Sequence, residues 1–226
     1  MLGQAALAMW WNIVPAMREE FEHWHSHEHF AERLALPGFL RATRWADTDG
    51  GDGFFVLYEL DRHEALHSPE YLARLNAPSD WSRRMMPHHR DMVRCQSRVI
   101  ASAGAAVSAH AFTLRFGAKH GESTRLQQHL VHIVQSLPRD RGLAGAHFLH
   151  TEAAPVAATA EQALRGNADR AADWIVVVNG YELAQLHSLA AAVLSPQSLE
   201  AAGACTGVAV GFHSLRLSVA RAERLA

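Results

Sequence analysis

The spacing of hydrophobic residues over the first hundred positions switches between the period of strands and the period of helices. Short apolar or alternating runs predict four strands, at residues 5–11, 39–45, 54–60 and 88–100. Pro15 and the Ser68-Pro69 pair suit the first turns of two helices. The helices should end before Pro37 and Pro78. The order is strand, helix, strand, strand, helix, strand, which is the split βαβ or ferredoxin-like arrangement.

The same order of elements returns in the second half of the chain. The patterns predict strands at residues 110–116, 143–151, 174–178 and 207–219, and helices at residues 122–137 and 183–194. The small polar run 101–109 is typical of a linker, and the alanine-rich run 153–172 is an insertion whose form the pattern does not define. Alternation in the last strand changes phase between Phe212 and Leu215, which predicts a bulge or a bend.

The repeated order predicts how the two halves pack. Each antiparallel sheet should carry helices on one face and leave the other face bare and apolar. Two such faces in one chain can cover each other. We therefore predict an α+β protein of two tandem ferredoxin-like domains, residues 1–102 and a diverged 103–226. Their antiparallel sheets would form an internal dimer, with a barrel-like centre and the helices outside.

One stretch of the first helix, residues 21–32, departs from the core pattern. At about 100° per residue, one face of the helix carries Phe21, Trp24, His25, Glu28 and Glu32, with His29 at its edge. Polar residues where a helix should enter a core are expected mainly at functional or strained sites. The corresponding helix of the second half carries ordinary core residues, Leu126, Leu130 and Ile133. The sequence therefore predicts one polar pocket, between the first helix and its sheet.

Composition and charge narrow the classes of partner. Of 226 residues, 49% are apolar, which is enough for a sizeable core. Lys and Arg number 21 against 23 acidic residues, so no basic field exists to attract nucleic acid or anionic lipid. No apolar run is long enough to span a bilayer, and the apolar start lacks the basic segment of a signal peptide. Two cysteines, Cys95 and Cys205, favour a reducing cytoplasm over a disulfide framework.

A group of short motifs in the first half has the pattern of a known family. These motifs are Phe21, Trp24, Glu28-His29, Glu32-Arg33, Leu36-Pro37-Gly38-Phe39, Ser68-Pro69, Tyr71-Leu72, Trp81 and Arg84-Met85-Met86-Pro87-His88. Residues 5–100 resemble EthD-like bacterial proteins of the dimeric α+β barrel superfamily. The resemblance implies the fold predicted above. Relatives in that superfamily include cofactor-free monooxygenases, lactone isomerases, degradation proteins and some haem binders, so the fold does not select one chemistry.

The polar stretch supplies the candidate catalytic residues. His29 is the expected general acid/base, with Glu28 to orient or charge it and His25 nearby. An imidazole that is paired with a carboxylate in a pocket should have a shifted pKa. The alternative is structural, with Glu28 and His29 tying the helix end by hydrogen bonds to Arg33, Arg41 or Arg44.

Six further residues are candidates for substrate binding: Trp11, Trp24, Arg44, Trp45, Tyr58 and Tyr71. The aromatic side chains suit an aromatic ligand, although core packing is the commoner reason for aromatic residues in short strands. Arg44 could hold a substrate carboxylate, or could form a salt bridge to Glu28. We expect His88 and His89 at the surface, where a strand begins.

No metal or cofactor is assigned from the sequence. His25 and His29 have the i, i+4 spacing that can place two imidazoles on one ion, and Glu28 or Glu32 could add an oxygen. However, the stretch does not contain the His-Glu-x-x-His pattern of zinc proteases. A haem or metal protein with His29 as the ligand is therefore kept as an alternative.

The leading functional hypothesis is a cofactor-independent isomerase or monooxygenase. It would use acid/base chemistry on a small hydrophobic or aromatic metabolite. A non-catalytic ligand-binding or accessory protein is the alternative from another class. We expect a cytoplasmic protein whose partner is that small molecule, without nucleic acid or membrane partners, and a homodimer is compatible with the sequence.

Overall fold

The chain folds into eight strands with helices between them. The computed structural model describes residues 1–48, 50–152, 158–166 and 168–221. The strands are β1 (Ala5–Ile13), β2 (Phe39–Asp47), β3 (Gly53–Leu60), β4 (His89–Ala103), β5 (His110–Phe116), β6 (Leu143–Thr151), β7 (Trp174–Gly180) and β8 (Ala209–Ala220). The α-helices are α1 (Arg18–Trp24), α2 (Phe30–Leu34), α3 (Pro69–Asn76), α4 (Asp80–Met85), α5 (Ser123–Ser136), α6 (Ala160–Arg165), α7 (Leu183–Ala191) and α8 (Pro196–Ala202). A π-helical turn, His25–His29, joins α1 to α2 into one first helix.

The strands close into one barrel, in the order β1-β3-β2-β8-β5-β7-β6-β4. Each half contributes four neighbouring strands, β4-β1-β3-β2 and β8-β5-β7-β6, which is the same order twice. Antiparallel pairing of β2 with β8 and of β4 with β6 joins the halves. The predicted α+β class and the tandem ferredoxin-like arrangement are confirmed. The domain boundary between residues 102 and 103 stays a prediction.

Three hydrophobic cores follow from this closure. One core lies inside the barrel, where Phe55 stacks between Trp10 and Trp45 at centroid distances of 4.8 and 5.1 Å. The other two cores lie outside the barrel, each between one half of the sheet and its helices. Leu126, Leu130 and Ile133 are buried in the outer core of the second half, as predicted. Space for a ligand between helices and sheet therefore depends on how completely each outer core is filled.

Two predictions about the strands differ from the structure in position: the bulge in β8 and the start of the linker after β4. A bulge is present in β8 as predicted, but not at the predicted position: Arg44 and Trp45 pair with Leu217 and Leu215 and leave Arg216 as an extra residue, whereas the predicted phase change lay between Phe212 and Leu215. The predicted linker, residues 101–109, begins too early. Residues 101–103 belong to β4 and pair with β6, where Ala101 lies opposite Phe148. The small side chains of this run suited the sheet as well as a linker.

The pattern did not predict α6 and α8. For α8, Ser195 caps the helix through a hydrogen bond from Ser198 N, and Pro196 follows it. The Ser68-Pro69 pair starts α3 in the same way. For α6, Thr159 and Gln162 form a capping box. Both capping motifs can be recognised in the sequence, but the two helices have fewer than eight residues and show little hydrophobic periodicity.

Part of the predicted alanine-rich insertion, residues 153–157 and 167, lies outside the described residues. Both cysteines, Cys95 and Cys205, are free thiols. Within the described ranges, no helix has the length and apolar character needed to cross a membrane.

A buried ion pair fastens α6 to the first helix. Arg33 Nη2 lies 2.5 Å from Glu161 Oε1, and the two side chains are only 3% and 4% exposed. Arg33 belongs to the first half of the chain and Glu161 to the second. A buried charge that loses its partner is strongly unfavourable, because nothing replaces its lost hydration. This pair therefore holds the two halves in register on the outside of the barrel.

We predict that Glu161→Ala lowers the free energy of unfolding by about 3 to 5 kcal/mol, because it leaves Arg33 buried and unpaired. Urea denaturation followed by circular dichroism measures the change. Glu152→Ala is the matched control, since Glu152 pairs with Arg98 at the surface and its side chain is 42% exposed. We expect no measurable change from the control. Equal effects of the two substitutions would show that the Arg33 pair has no special role.

Candidate functional site

A π-turn decides which residues of the first helix face the sheet. The backbone N–H of Phe30 donates to the carbonyl of His25, five residues back and not the usual four. This turn contains one extra residue, so every later side chain is displaced by one position. The buried positions are His29 and Arg33, whereas α-helical spacing placed Glu28 and Glu32 there. The predicted face was right up to His25 and wrong by one residue after it.

A cavity of about 170 Å³ lies where the prediction placed a pocket, between the first helix and its sheet. Strands β1, β3 and β4 form its floor, and α3 and α6 contribute to its walls. Its apolar lining is Leu7, Met9, Leu66, Leu75, Met86 and Met92. An engineered protein cavity of about 150 Å³ binds benzene, so this space suits one six-membered ring with a small substituent.

Six of the nine predicted site residues line this cavity: His25, His29, Trp11, Trp24, Tyr58 and Tyr71. The other three, Glu28, Arg44 and Trp45, do not. Trp45 points into the barrel, where it stacks on Phe55. Its strand alternates between the barrel interior and the helix side, and the sequence did not reveal which side held the ligand space.

Glu28 does not pair with His29, so the predicted orienting contact is wrong. Its carboxylate accepts hydrogen bonds from Trp24 Nε1 at 3.1 Å and from Ser79 Oγ at 2.5 Å. Ser79 caps α4. Glu28 therefore ties the first helix to α4. This is the structural role weighed for it, reached through partners other than the arginines expected.

Arg44 positions the first helix and His25. Its guanidinium donates to Glu22 O at 3.3 Å, to Ser26 Oγ at 3.0 Å and to His25 Nδ1 at 3.4 Å. Arginine can only donate, so His25 Nδ1 must accept and its proton must lie on Nε2. Burial, and then the Arg44 charge, lower the pKa of His25 well below its ordinary value. His25 is therefore a neutral ring with a fixed tautomer.

His29 is buried without a hydrogen bond at Nδ1. Its ring is 6% exposed and contacts Trp24 at a centroid distance of 4.5 Å and His25 at 5.2 Å. Burial, and next the charge of Arg33, lower its pKa well below the ordinary value. Pairing with Glu28 was the expected cause and is not found. His29 is therefore a neutral imidazole whose Nδ1 has no hydrogen-bond partner.

His89 is a site residue that the sequence analysis placed wrongly at the surface. It is 4% exposed and lines the cavity, with its ring 5.4 Å from Trp11. Its Nδ1 lies 3.2 Å from the carbonyls of both Met85 and Met86, so Nδ1 carries the proton and Nε2 has the lone pair. Burial lowers the pKa of His89 to about 4. His25 and His89 thus hold opposite tautomers, one able to donate from Nε2 and the other to accept there.

Four charged residues that line the cavity were not predicted: Arg33, Arg94, Glu161 and Arg165. Arg33 faces the cavity because of the π-turn, and no residue type in the sequence predicts such a turn. Arg94 alternates with Met92 and Gln96 on β4, and all three line the cavity, as side chains at every second position of a strand should. Glu161 and Arg165 belong to α6, inside the insertion whose form the sequence did not define.

Five polar atoms of cavity-lining residues are buried without a hydrogen-bond partner. They are Trp11 Nε1, His29 Nδ1, Arg33 Nη1, Tyr58 Oη and Arg165 Nε. A buried polar group without a partner costs about 1 to 3 kcal/mol, so such groups cluster where a ligand or bound solvent completes them. Such clustering is typical of a site that bound solvent or a ligand completes.

The metal and haem alternatives do not fit this geometry. The His25 and His29 rings are stacked, with centroids 5.2 Å apart at an interplanar angle of 22°. Among the described residues, no group of three or more His, Cys, Asp or Glu is arranged around a common point. A haem has four pyrrole rings and exceeds a cavity that suits one ring.

Comparison with known proteins supports the fold. No family model and no curated protein matches this sequence. An anthrone oxidase-like protein has a structure similar to this chain, with a TM-score of 0.63 and 11% identity, over 100% of this chain and 97% of its own. A proposed monooxygenase of Fusobacterium nucleatum has a TM-score of 0.63 and 8% identity, over 98% and 96%. A proposed chlorite dismutase has a TM-score of 0.56 and 7% identity, over 94% and 95%.

The barrel and these similarities together show that the chain has the dimeric α+β barrel fold. The resemblance noted in the sequence is confirmed at that level. Its narrower part, the likeness to EthD-like proteins, stays a prediction. Identities this low show a shared fold, and a fold of this kind carries many chemistries.

We predict that the protein loses stability as the pH falls from about 6.5 towards 4. A histidine whose folded pKa is lowered stays neutral in the native state, while the unfolded chain, with a pKa near 6.5, takes up a proton. Above that window the stabilisation is complete, and it is lost as the pH falls. For His89, with a folded pKa of about 4, the loss is about 1.4 kcal/mol per pH unit inside the window.

Urea denaturation at pH 7.5 and at pH 5 measures this dependence in the wild type and in His89→Gln. The variant should lose less stability between the two pH values than the wild type does. His120→Gln, at an exposed position, is the control and should retain the wild-type difference. An unchanged difference in His89→Gln would mean that His89 is protonated or solvated in the native protein.

Proposed function

We propose that the cavity binds a small molecule with one aromatic or similarly hydrophobic ring, and that His29 moves a proton on it without a cofactor. The observation that carries this proposal is the neutral, buried imidazole of His29, with Nδ1 unpartnered beside a cavity of about 170 Å³. His29 is the general acid/base expected from the sequence.

The walls of the cavity support a ring-shaped ligand. Trp11, Trp24, Tyr58 and Tyr71 present aromatic surface, and methionine and leucine side chains complete the apolar part. Aromatic rings prefer offset or edge contacts with other rings, and such contacts add about 0.5 to 1.5 kcal/mol beyond the burial of area. A saturated chain of equal volume would forgo these contacts. An aromatic substrate therefore uses this lining best.

Two histidines divide the proton chemistry. His29 takes a proton from an acidic C–H or O–H of the bound ligand, and His25 donates a hydrogen bond from Nε2 to the oxygen on which negative charge develops. An isomerase returns the proton to another carbon. In an oxygenase, the ligand anion reduces dioxygen: one oxygen atom becomes a carbonyl on the ligand, and the other leaves as water. The names of the structurally similar proteins, a monooxygenase and an anthrone oxidase-like protein, support the oxygenase form.

One observation favours a second candidate function, binding without catalysis. A general base works best when its pKa lies near the operating pH. The pKa of His29 is lowered well below its ordinary value, first by burial. In the absence of a ligand charge, His29 is then a weak base, and the cavity would hold a molecule without changing it. Proton exchange on the bound ligand separates the two candidates.

This proposal retains the cytoplasmic setting expected from the two thiols, Cys95 and Cys205, both of which are free. A homodimer stays a prediction, measurable by light scattering of the purified protein.

The experiment has two stages. A thermal-shift screen of phenols, aromatic acids, lactones and quinones should find compounds that raise the melting temperature, because a ligand that binds only the native state stabilises it. Each such compound is then incubated with the protein in D₂O, and deuterium uptake at its acidic carbon is followed by NMR. Wild-type protein should accelerate this exchange.

His29→Gln should abolish the exchange while it retains most of the ligand-induced thermal shift. Its free energy of unfolding should change by no more than about 1 to 2 kcal/mol, an ordinary value for one substitution. His27→Gln is the matched control, since His27 lies in the same π-turn and is exposed. Exchange that persists in His29→Gln would exclude His29 as the base, and binding without exchange in the wild type would favour the non-catalytic candidate.

A further inference from the structure

We propose that the ligand of this cavity is a monoanion, a single-ring carboxylate, and that Arg94 binds its carboxylate group. The inference rests on the proposed function, because it names the class of molecule that the same cavity takes. Arg94 was not among the predicted site residues; the sequence analysis considered Arg44 for a substrate carboxylate, with a salt bridge to Glu28 as the alternative.

The charges around the cavity leave one positive charge uncompensated. Three arginines line it: Arg33, Arg94 and Arg165. Arg33 pairs with Glu161, and Arg165 Nη2 binds both carboxylate oxygens of Asp169 at 2.8 and 2.9 Å. Among the described residues, Arg94 has no carboxylate within ion-pair distance. One negative charge on a ligand would balance the site, whereas a dianionic phosphate ester would exceed the balance.

The partners of Arg94 are neutral oxygens that position its guanidinium. Nη2 donates to Tyr71 Oη at 2.9 Å. The amide oxygen of Gln96, when turned towards the guanidinium, accepts from Nη1 at 2.7 Å and from Nη2 at 3.0 Å. Tyr71 and Gln96 therefore orient the planar group on the cavity wall without neutralising it. Tyr71 and Gln96 use three of the five N–H donors of Arg94, so one hydrogen on Nη1 and the hydrogen on Nε remain to donate to a ligand carboxylate.

The unpartnered atoms around the cavity are mostly donors. Trp11 Nε1, Arg33 Nη1 and Arg165 Nε can only donate hydrogen bonds. Tyr71 Oη accepts from Arg94, so its own proton can be donated elsewhere. Buried donors without acceptors call for a ligand rich in acceptor oxygens. An ionised carboxylate has two oxygens that only accept, and a neutral amide or alcohol supplies fewer acceptors.

A bound anion also makes the proposed chemistry easier. The charged groups that face His29 from the surrounding elements are Arg33 and Arg74, with the neutral rings of His25 and His89 beside them. None of these favours a proton on His29. A negative charge in the cavity would favour it, since an opposite charge nearby stabilises the protonated ring. The ligand would therefore strengthen the base that acts on it.

The position of Arg44 explains why the earlier assignment does not hold. Arg44 is 3% exposed and donates hydrogen bonds to Glu22, Ser26 and His25 within the protein. It does not line the cavity. Arg94 comes from β4, on the other side of β1 from Arg44, and its side chain lines the cavity at an intermediate exposure. We therefore assign the binding of the ligand carboxylate to Arg94 on β4 and not to Arg44 on β2.

The test compares benzoate with benzamide, which has the same planar shape and no charge. Dissociation constants at pH 7 are measured by isothermal titration calorimetry on the wild type, on Arg94→Met and on Arg98→Met. Arg98 lies on the same strand, is exposed and pairs with Glu64 and Glu152, so it controls for the loss of a positive charge on β4. We expect the wild type to bind benzoate at least tenfold more tightly than benzamide.

Arg94→Met should weaken benzoate binding at least tenfold and leave benzamide binding within twofold, while Arg98→Met changes neither. Equal affinities of the wild type for the two probes, or undiminished benzoate binding by Arg94→Met, would overturn the assignment and leave the proposed function standing. If neither probe binds and the thermal-shift screen finds no compound at all, the proposed function itself fails. Should Arg94→Met not fold, the comparison of the two probes on the wild type decides.

Discussion

The extra residue in the π-turn of the first helix is the constraint on which the site depends. The hydrogen bond from Phe30 N–H to the carbonyl of His25 places His29 and Arg33 against the sheet and leaves Glu28 on the flank. With α-helical spacing, two carboxylates would occupy the positions that an imidazole and a guanidinium hold. The unpartnered imidazole of His29 at the cavity and the bond of Arg33 to α6 both follow from that one displacement. A π-turn often marks a functional site, and here its effect can be traced residue by residue.

Much of the fold was predictable because hydrophobic periodicity and Pro or Gly punctuation are local signals. The eight strands, their tandem order and the presence of a bulge in β8 could be predicted from alternation, although the bulge lies at Arg216, after the predicted phase change. The site was only half predictable. Trp24 precedes the π-turn and His25 begins it, and both line the cavity as predicted, whereas Glu28 lies further into the turn and does not. Arg94 and Glu161 reach the cavity through sheet closure and through a short helix, and both depend on long-range contacts that no sequence window contains.

The two halves of the barrel use the same element order for different purposes. In the second half, leucine and isoleucine side chains of α5 fill the space between helix and sheet. In the first half, histidines and arginines stand at the comparable helix face, and a cavity remains. Large buried aromatic residues inside the barrel, among them Trp10 and Phe55, hold the two sheets together whatever the outer faces do. The fold can thus tolerate polar atoms without partners on one flank, because the other flank and the centre are packed with apolar side chains.

The bond between Arg33 and Glu161 also bears on how the cavity assembles. Helix α6, which forms one wall of the cavity, belongs to the second half of the chain, and the polypeptide connects it to the first half. If the two halves were separate subunits, this wall would be in place only in the associated dimer, and dilution would remove it. Within one chain, its local concentration is set by the tether and does not change with the amount of protein. The pocket should therefore stay complete at nanomolar protein, where a non-covalent dimer of half-barrels would come apart.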